Sequence, residues 1–595
     1  MCLNLDNDSF YKLFIQELDK IVADNSFADR SKAMIFWFAK NFIGVNDDDE
    51  IKTRITDGPN DEGIDGIFVD EDGVIWVVNA CTVNTFGNTT KNLPETDLKI
   101  AFEGFRLITI GDYRGKVNPL LEDLLKEYHE LQKTGASVKF VFVHLSQKPA
   151  SMTYVTQFNS DFSSVPVVFA DFQTLKQTYE SYLISQEKAP STVSIEIIDG
   201  GHEGAILVND GKIRARVFSV SGKTLANLLL TYRTSIFQRN VRYFIRGRGK
   251  QSVNLQIQAT ASDPSDSKNF WYYNNGVTIV CSHFDIPPNK QVAILNRMQV
   301  INGAQTTYSL LEAYNKGELK DDTKVLVRLI ESTDDAFIDS VTLYTNSQNP
   351  VNVRDLASLQ TDQVKIQNVL KLSGYFYERK RGEFEARYLT DAIRVKEFGS
   401  DWKNKVIPNE RASQAYLAMF LDEPAQAKTR KRRIFVLGEG GYYNDIFTDQ
   451  LIPEQLLLAY ELLRFVESRT KDYMKAYYSA PDLSEDKRDE TYKYDFVLHS
   501  DFFILSLYLD FLRRAGSKFD KDDCLKLIAK AEVHDEEVQK MYDEIVDLIS
   551  DYVEVRKEED EAYSNTKFFK SESAMGLIRD YLHKDRKLDF VSLGT

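Results

Sequence analysis

Cysteine, proline and tryptophan are scarce in this chain, and long apolar runs are missing. Its 595 residues include 4 Cys, 14 Pro and 4 Trp. Cys2, Cys81, Cys281 and Cys524 lie far apart with no CxxC pair, which argues against both a disulfide framework and a zinc site. A reducing cytoplasm fits that usage. No stretch reaches the roughly 18 apolar residues that a membrane-crossing helix requires. The start, Met1 to Phe10, has no basic region leading into an apolar one, so no secretory signal is expected and the cytoplasm is the expected location. Positive charge is short as well, with 74 Lys and Arg against 90 Asp and Glu, a net -16. Such a surface repels nucleic acid over most of its area, so any nucleic-acid contact is confined to a local patch.

What is present is ordinary globular material, rich in rings. Hydrophobic residues make up 43% and charged residues 28%, with 37 Phe and 30 Tyr to fill cores. One hydrophobic core stops growing at roughly 250–300 residues, so several domains are expected. Apolar residues recur at helical spacing over 8–24 (Phe10, Leu13, Phe14, Leu18) and over 28–44 (Ile35, Phe36, Phe38, Ala39, Phe42). The period then changes. Ile51–Thr56 reads as a strand candidate, and Gly66–Asp70 and Val74–Val83 as strands joined by a Glu71-Asp72-Gly73 turn. Helices are predicted at 95–109 and 118–133, and strands at Val138–Leu145 and 166–169. The polar stretch SQEKAPST closes this part near residue 185. From about 190 to 450 the pattern is mixed, with strand candidates Val193–Ile198, Ala205–Val208, Val277–Cys281 and Val325–Ile330. Past 450 it is nearly all helical, at 453–468, 496–513, 522–531, 537–555 and 570–583. The run Lys428, Arg430, Lys431, Arg432, Arg433 stands near that change.

The order helix, three strands, helix, strand is the core arrangement of the restriction-endonuclease-like fold, and one segment carries the resemblance further. TDGPNDEGIDGIFVDEDGVIWVVNACTVN, from Thr56 to Asn84, resembles the second and third motifs of PD-(D/E)xK nucleases, in the GIDG form of type IV restriction enzymes. In that family acidic groups hold Mg²⁺, which polarises the phosphate and activates water, while a lysine stabilises the developing charge. The resemblance puts Asp65 on the metal-binding aspartate, with Asp61 as a weaker second ligand. It puts Asn79-Ala80-Cys81 where Glu/Gln-x-Lys is expected. Asn79 offers a carbonyl oxygen but no charge, and Cys81 cannot replace an ammonium. The preceding helix, Arg30 to Phe36, also lacks the glutamate often found there. Lys91 and Lys99 are the candidates for a migrated lysine. The competing structural reading keeps the fold as a scaffold or DNA-docking module, with Asp65 closing a turn and Cys81 a small buried hydrophobe. His144 on the Val138–Leu145 strand is a candidate base for a cysteine nucleophile at Cys81.

The central region carries five segments in fixed order: NVRYFIRGRGKQSVN from Asn240, FWYYNNGVTIVC from Phe270, QVINGAQTTYSLLEA from Gln299, TNSQNPVNVRDLASLQTDQVKIQ from Thr345, and GYFYERKRGEF from Gly374. A weaker continuation runs from Ile407. Together they resemble the abortive infection phage resistance family, abbreviated AIPR, over about 200 to 460, and a nuclease-like module is a frequent companion in that family. Asn274, Asn275, Asn302, Gln305, Asn346, Gln348 and Asn349 present amide donors and acceptors suited to base edges, ribose or phosphate. Arg242, Arg246, Arg248 and Lys250 form one basic cluster and Arg379, Lys380 and Arg381 another, as phosphate recognition requires. The rings of Phe270–Tyr273 and Tyr375–Tyr377 lie beside them, as on single-strand stacking platforms. The competing reading is structural: Asn-Gly pairs form turns, aromatic runs fill cores, and Asn346, Gln348 and Asn349, just before Pro350, cap the following helix.

The expected architecture is α+β and multidomain: a restriction-endonuclease-like α/β domain over 1–185, a mixed α/β AIPR domain over 190–450, and a helical domain over 451–595. The resemblances imply a phage-defence protein that binds DNA, RNA or a nucleotide through its central domain, beside a nuclease-like module lacking its lysine. Two rival readings stand: an active Mg²⁺-dependent nuclease around Asp65, and a non-catalytic protein that senses a phage component or joins a defence complex. A homodimer fits any of them, and none involves a membrane.

Overall fold

The computed structural model describes residues 4–45, 47–70, 72–111, 113, 117–148, 156, 160–161, 165, 167–186, 189–198, 206–209, 213–240, 253–287, 290–345, 354, 357–358, 360–388, 390–479, 489 and 491–584. Two compact units make up the chain: Leu5–Gln186, and Glu187–Thr595 together with Met1–Asn4.

The first unit opens with α1 (Asn7–Asn25), whose N-terminus is capped by Asp6 accepting from the Ser9 N–H, with Phe10, Phe14, Leu18 and Ile21 on its buried face. Asp29 caps α2 (Arg30–Phe38) through the Ser31 and Lys32 N–H groups, and a π-helical turn, Ala39–Ile43, continues it. The segment read as a strand from Ile51 begins instead as helix α3 (Asp48–Thr53). Asp47 accepts from the Asp49 and Glu50 N–H groups there, and three acidic residues fill the first turn, where the helix dipole favours them. Only Ile55 keeps a strand contact, an antiparallel bridge to Gly66.

Four strands follow: β1 (Gly66–Val69), β2 (Ile75–Cys81), β3 (Val138–His144) and β4 (Val167–Ala170), lying in that order in one sheet. β1 and β2 are antiparallel, whereas β2, β3 and β4 run parallel. Asp70 shapes the hairpin, accepting from the Asp72 and Val74 N–H groups and from Trp76 Nε1. Helices α4 (Glu95–Ile110) and α5 (Pro119–Lys133) make the crossover from β2 to β3. They bury Leu98, Phe102, Phe105 and Leu125 against Ile67, Val77, Phe140 and Phe142, with Phe105 stacked on Phe140 at 4.4 Å. Helix α6 (Phe172–Gln186) ends the unit.

Among the described residues the second unit contains three sheets. β5 (Thr192–Glu196), β6 (Ile206–Asn209), β7 (Arg214–Ser221), β8 (Val277–Cys281), β9 (His283–Asp285), β10 (Val292–Asn296), β11 (Gln299–Asn302) and β12 (Lys324–Glu331) form a three-stranded sheet, β5-β10-β9, and a five-stranded sheet, β11-β8-β12-β7-β6. β12 is antiparallel to β7 and parallel to β8. Val325, Val327 and Leu329 point into a core shared with Leu225 and Leu229 of helix Gly222–Tyr232 and with Tyr308 and Leu311 of helix Ala304–Asn315. A small parallel pair, β13 (Phe376–Glu378) and β14 (Val406–Pro408), leads into the helices.

A separate helical domain starting at 451 does not form. One hydrophobic cluster takes in Ile366, Leu417 and Phe435 together with Leu456, Leu505 and Ile545, because helix Pro453–Ser479 packs on helix Asn409–Met419. The basic run near 430 is pinned rather than free: Lys428 pairs with Asp501, Arg430 with Glu572, and Lys431 with Glu410. Arg579, on helix Ala574–Lys584, bonds both Asp510, at 2.8 Å, and Asp422. Among the described residues no helix is long and apolar enough to cross a membrane.

Candidate functional site

The loop ahead of β1 is held by its own carboxylates. Asp61 accepts from the Gly58 and Gly63 N–H groups at 2.8 and 2.9 Å, and the Thr56 hydroxyl donates to the Ile64 carbonyl. Gly104 of α4 lets the loop lie close, since a Cβ there would sit 2.3 Å from the Glu62 carbonyl oxygen. Asp65 then enters the sheet: its N–H donates to the Val78 carbonyl, and one carboxylate oxygen accepts from the Ala80 N–H at 2.6 Å. Asn79 donates to the Gly63 carbonyl at 2.8 Å, so its amide nitrogen braces the loop.

This path brings Asp57, Asp61 and Asp65 together, with one oxygen of each within 4.8 Å of the others. Burial raises Asp65 well above the usual carboxylate range; Asp57 and Asp61 add to the effect, and only the Ala80 N–H opposes it. Burial also raises Asp57, helped by Asp29 and Asp61, against the Lys32 ammonium and a hydrogen bond from Ser31. The donor set fits a hard divalent cation. An octahedral Mg²⁺ with oxygens at ~2.1 Å spans ~4.2 Å across the ion, and Ca²⁺ spans ~5 Å. Ser31 also lines a cavity of about 450 Å³ with Asp29, Arg30, Thr82 and Asn84.

The structure brings Asp61 and Asp65 together as the motif implies, and adds Asp57 and Lys32, which the motif does not include. The recurrence of Asp at every fourth position, 57, 61 and 65, was the available signal. Lys91 and Lys99 are exposed. Cys81 lies at the end of β2, its thiol donating to Asp97 Oδ2 at 3.2 Å. Burial, then Asp97, pushes that thiol up to about 12, so it is neither a cation nor a nucleophile at neutral pH. His144 is Cα-paired with Cys81 across the sheet, yet its Nδ1 accepts from the Ser146 N–H at 3.3 Å, and burial lowers the ring to about 4.

In the second unit the motif amides face inward. Asn274 exchanges hydrogen bonds with the Thr306 hydroxyl and accepts from the Gly276 N–H at 2.9 Å. Asn302 donates to the Thr345 carbonyl at 2.6 Å, and Gln305 to Asn254; Asn275, by contrast, is exposed. The two glycine motifs interlock. Gly276 has φ +76° and Gly303 φ +97°; a Cβ on the first would lie 2.4 Å from the Leu326 carbonyl oxygen, and on the second 2.8 Å from that of Gly276.

The expected basic cluster at 379–381 is corrected in the same way. Arg379 and Lys380 are each 1% exposed. Arg379 pairs with Glu383 at 3.0 Å, both side chains fully buried, Arg387 meets the same carboxylate at 2.8 Å, and Lys380 donates to the Gln238 carbonyl. Burial acts to raise Glu383, but Arg379, Arg387 and Lys380 together outweigh it and hold it at about 2. Arg381 alone of the three is exposed. Tyr375, Phe376 and Tyr377 are buried, whereas Trp271, Tyr272 and Tyr273 reach solvent. Arg242, Arg246, Arg248, Lys250, Asn346, Gln348 and Asn349 lie outside the described residues.

These interlocked motifs fall within residues 237–557, more than half of the chain, which a family model described as AIPR protein matches. The chain belongs to the AIPR family. Membership carries a role in abortive infection and phage resistance. In this AIPR protein the matched span crosses residue 450 and runs into helix Glu536–Glu559, in keeping with the single core on both sides of that position. Neither a curated protein nor a solved structure matches the chain.

Proposed function

We propose that this AIPR protein engages nucleic acid during phage defence, and that its N-terminal unit is a restriction-endonuclease-like module holding a divalent cation with Asp57, Asp61 and Asp65. The carrying observation is the convergence of those three carboxylates, one oxygen of each within 4.8 Å of the others. Strand order supports it: an antiparallel hairpin followed by two parallel strands reached through helices.

A bound divalent ion supplies charge for a phosphate oxygen and lowers the pKa of bound water. The chain's own groups do the rest. The Ala80 N–H fixes one Asp65 oxygen and leaves the other for a ligand. Gly58 and Gly63 hold the Asp61 carboxylate in place. Cys81, neutral and turned to Asp97, brings no positive charge from β2. On this reading the module docks a phosphodiester without efficient cleavage.

One observation favours the nuclease reading instead. The Lys32 ammonium acts on Asp57, so a cation from α2 stands near the carboxylates. Terbium luminescence and incubation of DNA and RNA with Mg²⁺ or Mn²⁺ separate the readings. Terbium bound by the native chain and lost in Asp65→Asn and Asp57→Asn is expected, with little or no cleavage. Absence of any metal binding would overturn the proposal. Cleavage abolished by both Asp65→Asn and Lys32→Met would select the nuclease.

A further inference from the structure

Alternation along β12 sends Val325, Val327 and Leu329 into the core and leaves Lys324 and Arg328 exposed on the opposite face of the five-stranded sheet. Neither cation has a hydrogen bond or ion pair among the described residues. Across from Leu326 on that face stands Ser219 of β7, and the Trp271 indole reaches it, Nε1 donating to the Ser219 hydroxyl at 3.2 Å. Tyr272 stands edge-on to that indole, ring centroids 5.2 Å apart. Arg328 follows Leu326 by two residues, ~7 Å along the strand.

The rings are held in the open by construction. The turn Phe270–Tyr273 packs on β12, with Phe270 buried and Trp271, Tyr272 and Tyr273 36%, 76% and 66% exposed. Gly276 makes that seating feasible, because any Cβ would strike the Leu326 carbonyl. Neighbouring aromatic rings left in water are uncommon on a folded surface without a partner. On a chain of net charge -16, unpaired cations beside them select a partner that is anionic and has flat apolar faces. Single-stranded nucleic acid has both features, whereas a duplex hides its base faces.

We propose that this sheet face is a platform for single-stranded nucleic acid, on which Trp271 and Tyr272 stack with bases while Arg328 and Lys324 meet phosphates. The proposal extends the nucleic-acid reading to a surface outside the metal centre. It is tested on the full chain by fluorescence anisotropy of a labelled oligothymidylate. Tyr272→Ala is expected to weaken binding on the order of tenfold. Arg328→Ala is expected to weaken it and to flatten the dependence of log K on log salt by about one ion. Both positions are exposed, so melting temperatures stay near the native value. Unchanged affinity in both variants would overturn the platform, and so would a native chain that ignores oligothymidylate or binds only duplex or a protein partner. Terbium titration of the same preparations reads the carboxylates independently: metal binding without oligothymidylate binding defeats the platform alone, and the converse defeats the metal centre alone.

Discussion

Two carboxylate sites, one in each unit, treat buried charge in opposite ways. In Leu5–Gln186, three like-signed carboxylates crowd together: Asp65 is buried against the Ala80 N–H, Asp61 accepts from two loop N–H groups, and Asp57, half-buried, has the Ser31 hydroxyl and the Lys32 ammonium acting on it. In the AIPR unit, Glu383 is fully buried between Arg379 and Arg387, and the carboxylate is depressed rather than raised. A buried cluster that is compensated needs nothing further and serves the fold. One that is not compensated must bind a proton or a cation, which is why the first unit carries the stronger sign of a ligand site.

The largest expected effect tests the compensated side. Glu383→Gln strands Arg379 without its counter-charge and should destabilise the protein by ~3–5 kcal/mol in denaturant unfolding. A loss under ~1 kcal/mol would mean the network is dispensable and would break the contrast. The depressed Glu383 pKa also fixes a pH window. Its contribution is fully present above the unfolded value of ~4.3. It is lost as pH falls through about 2. Gly276→Ala comes next: the added Cβ meets the Leu326 carbonyl in a left-handed conformation, at a cost of about 2–3 kcal/mol read in the same assay.

The smallest effect has the opposite sign. Asp65 has a raised folded pKa, so without metal the folded chain holds a proton more tightly than the unfolded chain. Stability should therefore fall as pH rises from ~4. Asp65→Asn should flatten that slope, Asp57 keeping its own share, and leave the metal-free protein more stable at neutral pH, measured by thermal melts across pH. Mn²⁺ should raise the melting temperature of the native chain alone, and more strongly at higher pH because metal and proton compete. A native melting profile flat in pH would contradict the uncompensated cluster.

Much of the fold could be read from local pattern. The apolar spacing of Phe10, Phe14 and Leu18 gives α1, and Asp72-Gly73 marks the hairpin, where Gly73 takes φ +77°. Where tertiary or capping effects decide, the pattern misleads. Ile51 looks like the start of a strand, but Asp47 and the acidic turn behind it cap a helix. The amides of Asn274, Asn302 and Gln305 look like readers of a ligand, yet each is satisfied by a partner at least 32 residues away, which spacing cannot reveal. Arg379 was more accessible, since Glu383 stands four residues on and an i,i+4 pair was there to notice. At the candidate metal centre Asp61 and Asp65 were legible from the GIDG segment, whereas Lys32 comes from a different helix and needs the fold to bring it in.

The bonds of Arg579 to Asp422 and Asp510 join parts of the chain that are distant in sequence. Asp510 lies on helix Asp501–Arg514 and Asp422 in the turn after helix Asn409–Met419, both well before helix Ala574–Lys584 in the chain. Without Arg579, Asp510, otherwise buried, lacks this counter-ion, so loss of that helix leaves a buried carboxylate uncompensated. The helix thus works as a clasp, one guanidinium tying together two segments that lie far apart along the chain.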